Sequence, residues 1–236
     1  MEQIAQAACG EHVPRVVEIG PGHGALTRHL LQRTDELHVI ELDQSLVRFL
    51  QAHFQLQPKL HVHSGDVLET DLSQWGPAVI AGNLPYYISS PIVSQFLELD
   101  DRFASAVFLL QWEVAERLLA GPGTRAYGFL SVAAQLVCEV DLVCRVPAAA
   151  FRPPPKVESA AVRFRRKQMP RENRADLLRF VGRCFAHKRK TLRNNLKPYH
   201  GSLIDGLPEA RMRAEQLTIE AFVKLYEAIK NEETVN

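Results

Sequence analysis

Asn83-Leu84-Pro85-Tyr86 is the segment of the chain best suited to chemistry. An amide, an apolar residue, a proline and a phenol in succession can handle an exocyclic amine on an aromatic base. Such an amine is a poor nucleophile, because its lone pair is delocalised into the ring. It needs acceptors aimed at its N–H protons, which favour a pyramidal nitrogen as a methyl group arrives. The Asn83 carboxamide oxygen and a backbone carbonyl near Leu84 can supply two. Pro85 donates no N–H and stiffens the loop. Tyr86 offers a face on which an extruded base can stack, worth ~1–3 kcal/mol.

A second group of residues suits a nucleoside-bearing ligand. Glu18-Ile19-Gly20-Pro21-Gly22-His23-Gly24-Ala25 is glycine-rich, so its backbone can turn tightly and approach a ligand. Gly20, Gly22 and Ala25 also fit G-x-G-x-x-A, which keeps a nicotinamide enzyme open as an alternative. About 20 residues on stands Glu41, placed to accept from both hydroxyls of a ribose. Asp43 is better read as the N-cap of the following helix. Asp66, in Gly65-Asp66-Val67, can accept from an adenine amine or serve as a turn residue.

These residues need elements to position them. Short apolar runs alternate with segments of helical spacing through the first half of the chain. Strands are expected at 15–19, 37–42, 60–62, 78–82 and 104–110, with helices at 25–32, after Asp43, and at 92–99. A helix at 128–138 and strands at 140–146 and 157–164 follow. Such alternation implies a doubly wound, mostly parallel α/β sheet. Each motif then falls at a strand end, on the edge where such sheets bind ligands. From about Gln168 the strand signal ends, and helices are expected at 174–186, 188–196 and 219–230. The expected division is an α/β domain over 1–167 and a small helical domain over 168–236. The proline-rich stretch Phe151 to Lys156 reads as a rigid loop between the last two strands.

The 236 residues are 46% hydrophobic and 23% charged, which excludes a disordered chain, a collagen and a disulfide-stapled miniprotein. The four cysteines form no C-x-x-C pair and read as reduced thiols, consistent with a cytoplasmic protein. Met1 to Gly10 has no signal-peptide pattern, and no apolar run reaches the ~18 residues of a membrane span. His61 and His63 alternate along one strand without an evident third ligand, so no metal is expected.

The motifs EIGPGHG, VIELD, GDV and NLPY, with QWEVAERLL (111–119), AYGFLSV (126–132), FRPPPKVESAAV (151–162) and KTLRNNL (190–196), resemble one family over nearly the whole chain. It is the KsgA-type ribosomal RNA adenine N6,N6-dimethyltransferases, class I S-adenosylmethionine enzymes. The resemblance implies a Rossmann-like, seven-stranded methyltransferase domain with a small C-terminal all-helical domain. It implies S-adenosylmethionine as cofactor, bound by Glu18, Gly20, Gly22, Gly24, Glu41, Leu42, Asp66, Val67 and Asn83. It assigns the target base to Asn83, Leu84, Pro85, Tyr86 and Phe151, where Phe151 is either an opposing stacking surface or a core anchor for its loop. The implied reaction is dimethylation of two adjacent adenosines in a 3′-terminal hairpin of small-subunit rRNA. The implied partner is the immature small ribosomal subunit, met by a monomer. A large-subunit rRNA methyltransferase conferring antibiotic resistance and a non-catalytic ribosome assembly factor are the alternatives. Two departures stand out. Relatives carry a segment containing Gln-Asn-Phe-Leu before the first helix, whereas this chain starts at EQIAQAA, so weakened cofactor binding and reduced activity are expected. Trp112 stands where many relatives have a basic residue.

The net charge is only +1, from 28 Lys+Arg against 27 Asp+Glu. Yet residues 161–200 hold 13 basic residues and two acids, a net +11, which leaves −10 for the remainder. A one-signed run of this kind suits RNA phosphates. The residues expected to contact RNA are Arg152, Lys156, Lys188, Arg189, Lys190, Arg193 and Lys197, with 188, 189, 193 and 197 sharing one helical surface.

Overall fold

The computed structural model describes residues 1–168 and 171–235, and Arg171 and Glu172 of the basic run lie outside the described side chains. Packing divides the chain into two units, one of residues 1–115 and 138–167, the other of residues 116–137 and 168–236.

The first unit is built on one sheet. Its strands are β1 (Val13–Ile19), β2 (Thr34–Glu41), β3 (Leu60–Ser64), β4 (Val79–Asn83), β5 (Ser105–Gln111), β6 (Cys138–Val146) and β7 (Ser159–Arg166). They lie in the order β3-β2-β1-β4-β5-β7-β6. The first five are parallel, while β7 runs antiparallel to β5, and β6 to β7. Val16, Val17 and Ile19 of β1, and Ala106 to Leu110 of β5, are buried in succession. Continuous burial of this kind marks strands covered on both faces. On one face, Ile4, Ala5 and Ala8 of α1 (Glu2–Cys9) join Leu26, Leu30, Val107, Leu109 and Ala161. On the other, Phe96 of α4 (Ser89–Glu98) meets Phe108 and Phe164 at centroid distances of 6.0 and 5.8 Å. Asp43 caps α3 (Gln44–His53) by accepting from the Ser45 N–H, as its position predicts. α2 (Thr27–Leu30) is a single turn, shorter than the helix expected over 25–32, because the glycine turn extends to its first residue.

The second unit is helical. α5 (Trp112–Leu119) ends in it, and it holds α6 (Phe129–Val137), α7 (Arg171–Cys184), α8 (Leu192–His200) and α9 (Ile219–Val235). Two sequence expectations are corrected. The segment 116–137, expected within the first domain, packs with the C-terminal helices. Ser131 to Ala134, Leu136 and Val137 of α6 are all buried, and α6 lies against α7 and α9. The helix expected over 188–196 begins only at Leu192. The Lys190 N–H closes a turn on the His187 carbonyl, and Thr191 is extended. Buried Asn195 fixes that turn, donating 2.7 Å to the Cys184 carbonyl and 3.3 Å to that of His187. Lys188 and Arg189 therefore precede the helix that carries Arg193 and Lys197.

Candidate active site

The glycine turn leaves β1 with Gly20, Gly22 and Gly24 at φ of 65°, 56° and 76°. A Cβ on Gly24 would stand 2.6 Å from the Phe54 ring, whereas one on Gly22 would meet nothing within 4 Å. Gly24 is thus small for packing, and Gly22 presents bare backbone to open space. The Gly22 N–H donates to Glu41 Oε2 at 3.1 Å, and the Asp43 N–H to Oε1 at 3.0 Å. These bonds orient the carboxylate at the end of β2, and each oxygen keeps a lone pair for a hydroxyl.

Glu18 lies beneath the turn, 1% exposed. Thr27 Oγ1 donates to its Oε2 at 2.7 Å. Burial, with Glu41 as a like charge, raises the Glu18 carboxyl to about 8. The raised value favours the neutral form of this buried carboxyl. Asp66 is half-buried, and its Oδ1 accepts from the Leu68 N–H at 2.9 Å, so it does serve a turn. Val67 beside it is buried, while Leu42 at the end of β2 is 59% exposed.

Asn83 ends β4 opposite Leu109, and the Leu84 N–H donates to the Leu109 carbonyl at 3.1 Å. Buried Leu84 thereby anchors the tetrapeptide. Tyr86 Oη lies 2.9 Å from Ser159 Oγ at the start of β7. A Cβ on Gly20 would lie 3.6 Å from Pro85 Cδ and 3.8 Å from the Asn83 carbonyl oxygen. The glycine turn and the tetrapeptide therefore abut. Phe151 is half-buried and packs on the apolar cluster of the sheet, which accounts for it as a loop anchor.

The family model for ribosomal RNA adenine dimethylase matches residues 1–231. The chain belongs to that family. The ribosomal RNA small subunit methyltransferase A of Desulfitobacterium hafniense is 42% identical to it, over 97% of this chain and 87% of the relative. A dimethyladenosine transferase from Plasmodium falciparum superposes with a TM-score of 0.83 at 26% identity, covering 98% of this chain and 96% of the other. The 23S rRNA methyltransferase ErmE follows at a TM-score of 0.74 and 25% identity, over 97% of each chain. The sheet is accordingly that of the Rossmann-like methyltransferases.

Within this dimethylase family member, the basic run is less uniformly available than its charge suggests. Arg163 pairs with Asp141, and Arg165 with Glu139 and Asp141. Arg166 donates to the carbonyls of Phe96, Leu97 and Phe103. Arg174 is buried, and Arg179 pairs with Asp176. Arg193 and Lys197 both bind Asp205, at 2.6 and 2.9 Å, and their hydrogen bonds, with their charges, hold its carboxyl down at about 2. By contrast, Lys188, Arg189, Lys190, Arg152 and Lys156 are exposed and make no ion pair among the described residues.

His38 of β2 joins His61 and His63, with its Nδ1 2.9 Å from His63 Nε2 and the rings stacked. Burial lowers the His38 and His63 pKa values. Among the described residues, no group of three or more His, Cys, Asp and Glu side chains could hold a metal ion, and no helix is long and apolar enough to cross a membrane. Sequence reasoning missed Thr27, Ser159 and the Arg145 guanidinium, which lies 3.5 Å over the Trp112 ring.

Proposed function

We propose that the protein transfers methyl groups from S-adenosylmethionine to N6 of adenosine in small-subunit ribosomal RNA. Two adjacent adenosines of a 3′-terminal hairpin each receive two. The observation that carries this reading is the abutment of Gly20 on Asn83 and Pro85, which sets a nucleoside-type site against an amine-handling loop.

The residues present fit the cofactor. The open backbone at Gly22 suits close approach, the Glu41 carboxylate suits a ribose diol, and exposed Leu42 with Asp66 suits an adenine ring. Glu18 supplies a carboxyl for the methionine ammonium. When bound, the cofactor supplies a methyl group on a sulfonium, so no general base is needed. Asn83 and the carbonyl at Leu84 accept from the target amine and hold its lone pair toward the incoming methyl. Tyr86 stacks on the extruded base, and its bond to Ser159 fixes the ring. Phe151, packed on the apolar cluster of the sheet, anchors the proline-rich loop. Loops suit this chemistry, because unstacked bases cost less to extrude.

RNA phosphates are met by Lys188, Arg189 and Lys190, with Arg152 and Lys156 on the proline-rich loop. Arg193 and Lys197 contribute less while Asp205 holds them. The protein acts as a monomer in the cytoplasm on immature small subunits. Tritiated methyl transfer onto immature small and large subunits, compared side by side, tests the substrate. Label confined to the small subunit is expected, and label on the large subunit would favour the 23S reading.

A further inference from the structure

The β6–β7 strand pair carries four arginines, and three of them are fully engaged. Arg163 and Arg165 are neutralised by Asp141 and Glu139, and Arg166 is spent on backbone carbonyls of and beyond α4. Arg145 differs. It is exposed, and no carboxylate pairs with it among the described residues. Its guanidinium instead lies 3.5 Å over the half-buried Trp112 ring. Stacking of this kind restricts the side chain. It leaves the outer face and the N–H edges of the guanidinium free, in the planar fork that matches a phosphate.

The place of the stack matters as much as its chemistry. Trp112 directly follows β5, and its N–H donates 2.9 Å to the Glu158 carbonyl. Arg145 lies opposite Ala160, one residue from the Ser159 that binds Tyr86. Strand alternation puts Arg145 on the other face of the sheet from Ser159, at the same carboxyl edge, and Trp112 at the start of α5 meets it there. Arg145 is three strands from β4, about 14 Å at ~4.8 Å per strand.

We propose that the Trp112–Arg145 stack is a phosphate-binding point for the RNA strand flanking the target adenosine, seated at the rim of the active-site edge. This rests on the RNA methylation reading above. Trp112 acts through Arg145, as a positioning residue.

The test is binding of the full chain to a 3′-terminal small-subunit hairpin RNA, by fluorescence anisotropy across a salt series. Arg145→Gln is expected to weaken binding about tenfold at low salt and to lower the slope of log affinity against log salt by ~0.7–0.9, one phosphate's worth. Arg145→Lys should recover the slope but only part of the affinity, and Trp112→Phe should stay near wild type. S-adenosylmethionine affinity by calorimetry and the urea midpoint should not move. A wild-type salt slope in Arg145→Gln overturns the proposal, as does a loss of affinity that only tracks a lower urea midpoint. If the unaltered protein fails to bind the hairpin at all, the RNA reading falls and takes this inference with it.

Discussion

Tyr86 Oη sits 2.9 Å from Ser159 Oγ, so the ring of the NLPY segment is tied to a strand 73 residues further along the chain. The bond fixes the plane of the ring, while the face of the ring meets the base. Tyr86→Phe keeps the face and loses only the tether, and a loss of methyl transfer under about tenfold is expected. Tyr86→Ala loses the stacking surface as well, and ~1–3 kcal/mol of stacking corresponds to roughly 5–150-fold in rate. Single-turnover methyl transfer on immature small subunits separates the two. Equal losses in both variants would mean that the hydroxyl, not the ring, matters.

Gly24 and Gly22 separate packing from binding. Both have positive φ, but a Cβ on Gly24 would strike Phe54 at 2.6 Å, and one on Gly22 would meet open space. Gly24→Ala is expected to lower stability by about 1–3 kcal/mol in urea unfolding. Gly22→Ala should cost less stability and more cofactor affinity, read by calorimetric titration. The reverse order would place the ligand elsewhere.

Glu18 makes stability depend on pH. Its carboxyl is raised from the ordinary 4.5 to about 8, chiefly by burial. A raised folded-state value means that its neutral form favours folding at low pH. That contribution is whole below about 4.5 and is lost as pH climbs through 8. Relative to Glu18→Gln, the cofactor-free wild type should lose on the order of 3–5 kcal/mol across that window. Urea midpoints of both proteins at pH 5 and pH 8.5 check this, and parallel curves would contradict it.

Among the basic residues, charge pairing predicts a ranking. Lys188, Arg189 and Lys190 make no ion pair among the described residues, whereas Arg193 and Lys197 share Asp205. Arg189→Glu should weaken RNA binding and flatten its salt dependence more than Arg193→Glu does. Asp205→Asn should strengthen RNA binding by freeing both cations. Filter binding across a salt series reads all three, and an Asp205→Asn affinity at or below wild type would show that the pair does not compete with phosphate.

The sheet was legible because its strands are continuous apolar runs and its ligand residues fall at strand ends. Glu41, Asp43 and the glycine turn follow from spacing along the chain. What spacing could not reveal are partners distant in sequence, such as Ser159 for Tyr86 and Arg145 for Trp112. The +11 window likewise counted cations without their acids, since Glu139, Asp141 and Asp205 lie outside it. The start of α8 was misplaced for a related reason. Lys188 to Lys190 suit a helix by composition, but the buried Asn195 amide holds them in a turn.

The most direct measurement of the central claim is the nucleoside content of small-subunit rRNA after reaction with S-adenosylmethionine. Wild-type protein should convert two adjacent adenosines to N6,N6-dimethyladenosine, and Asn83→Ala should lower the rate by at least about a hundredfold while cofactor affinity falls far less. Unmodified adenosine with the wild-type protein, or an Asn83→Ala rate equal to wild type, would contradict the assignment of the Asn83–Tyr86 edge as the site of methyl transfer.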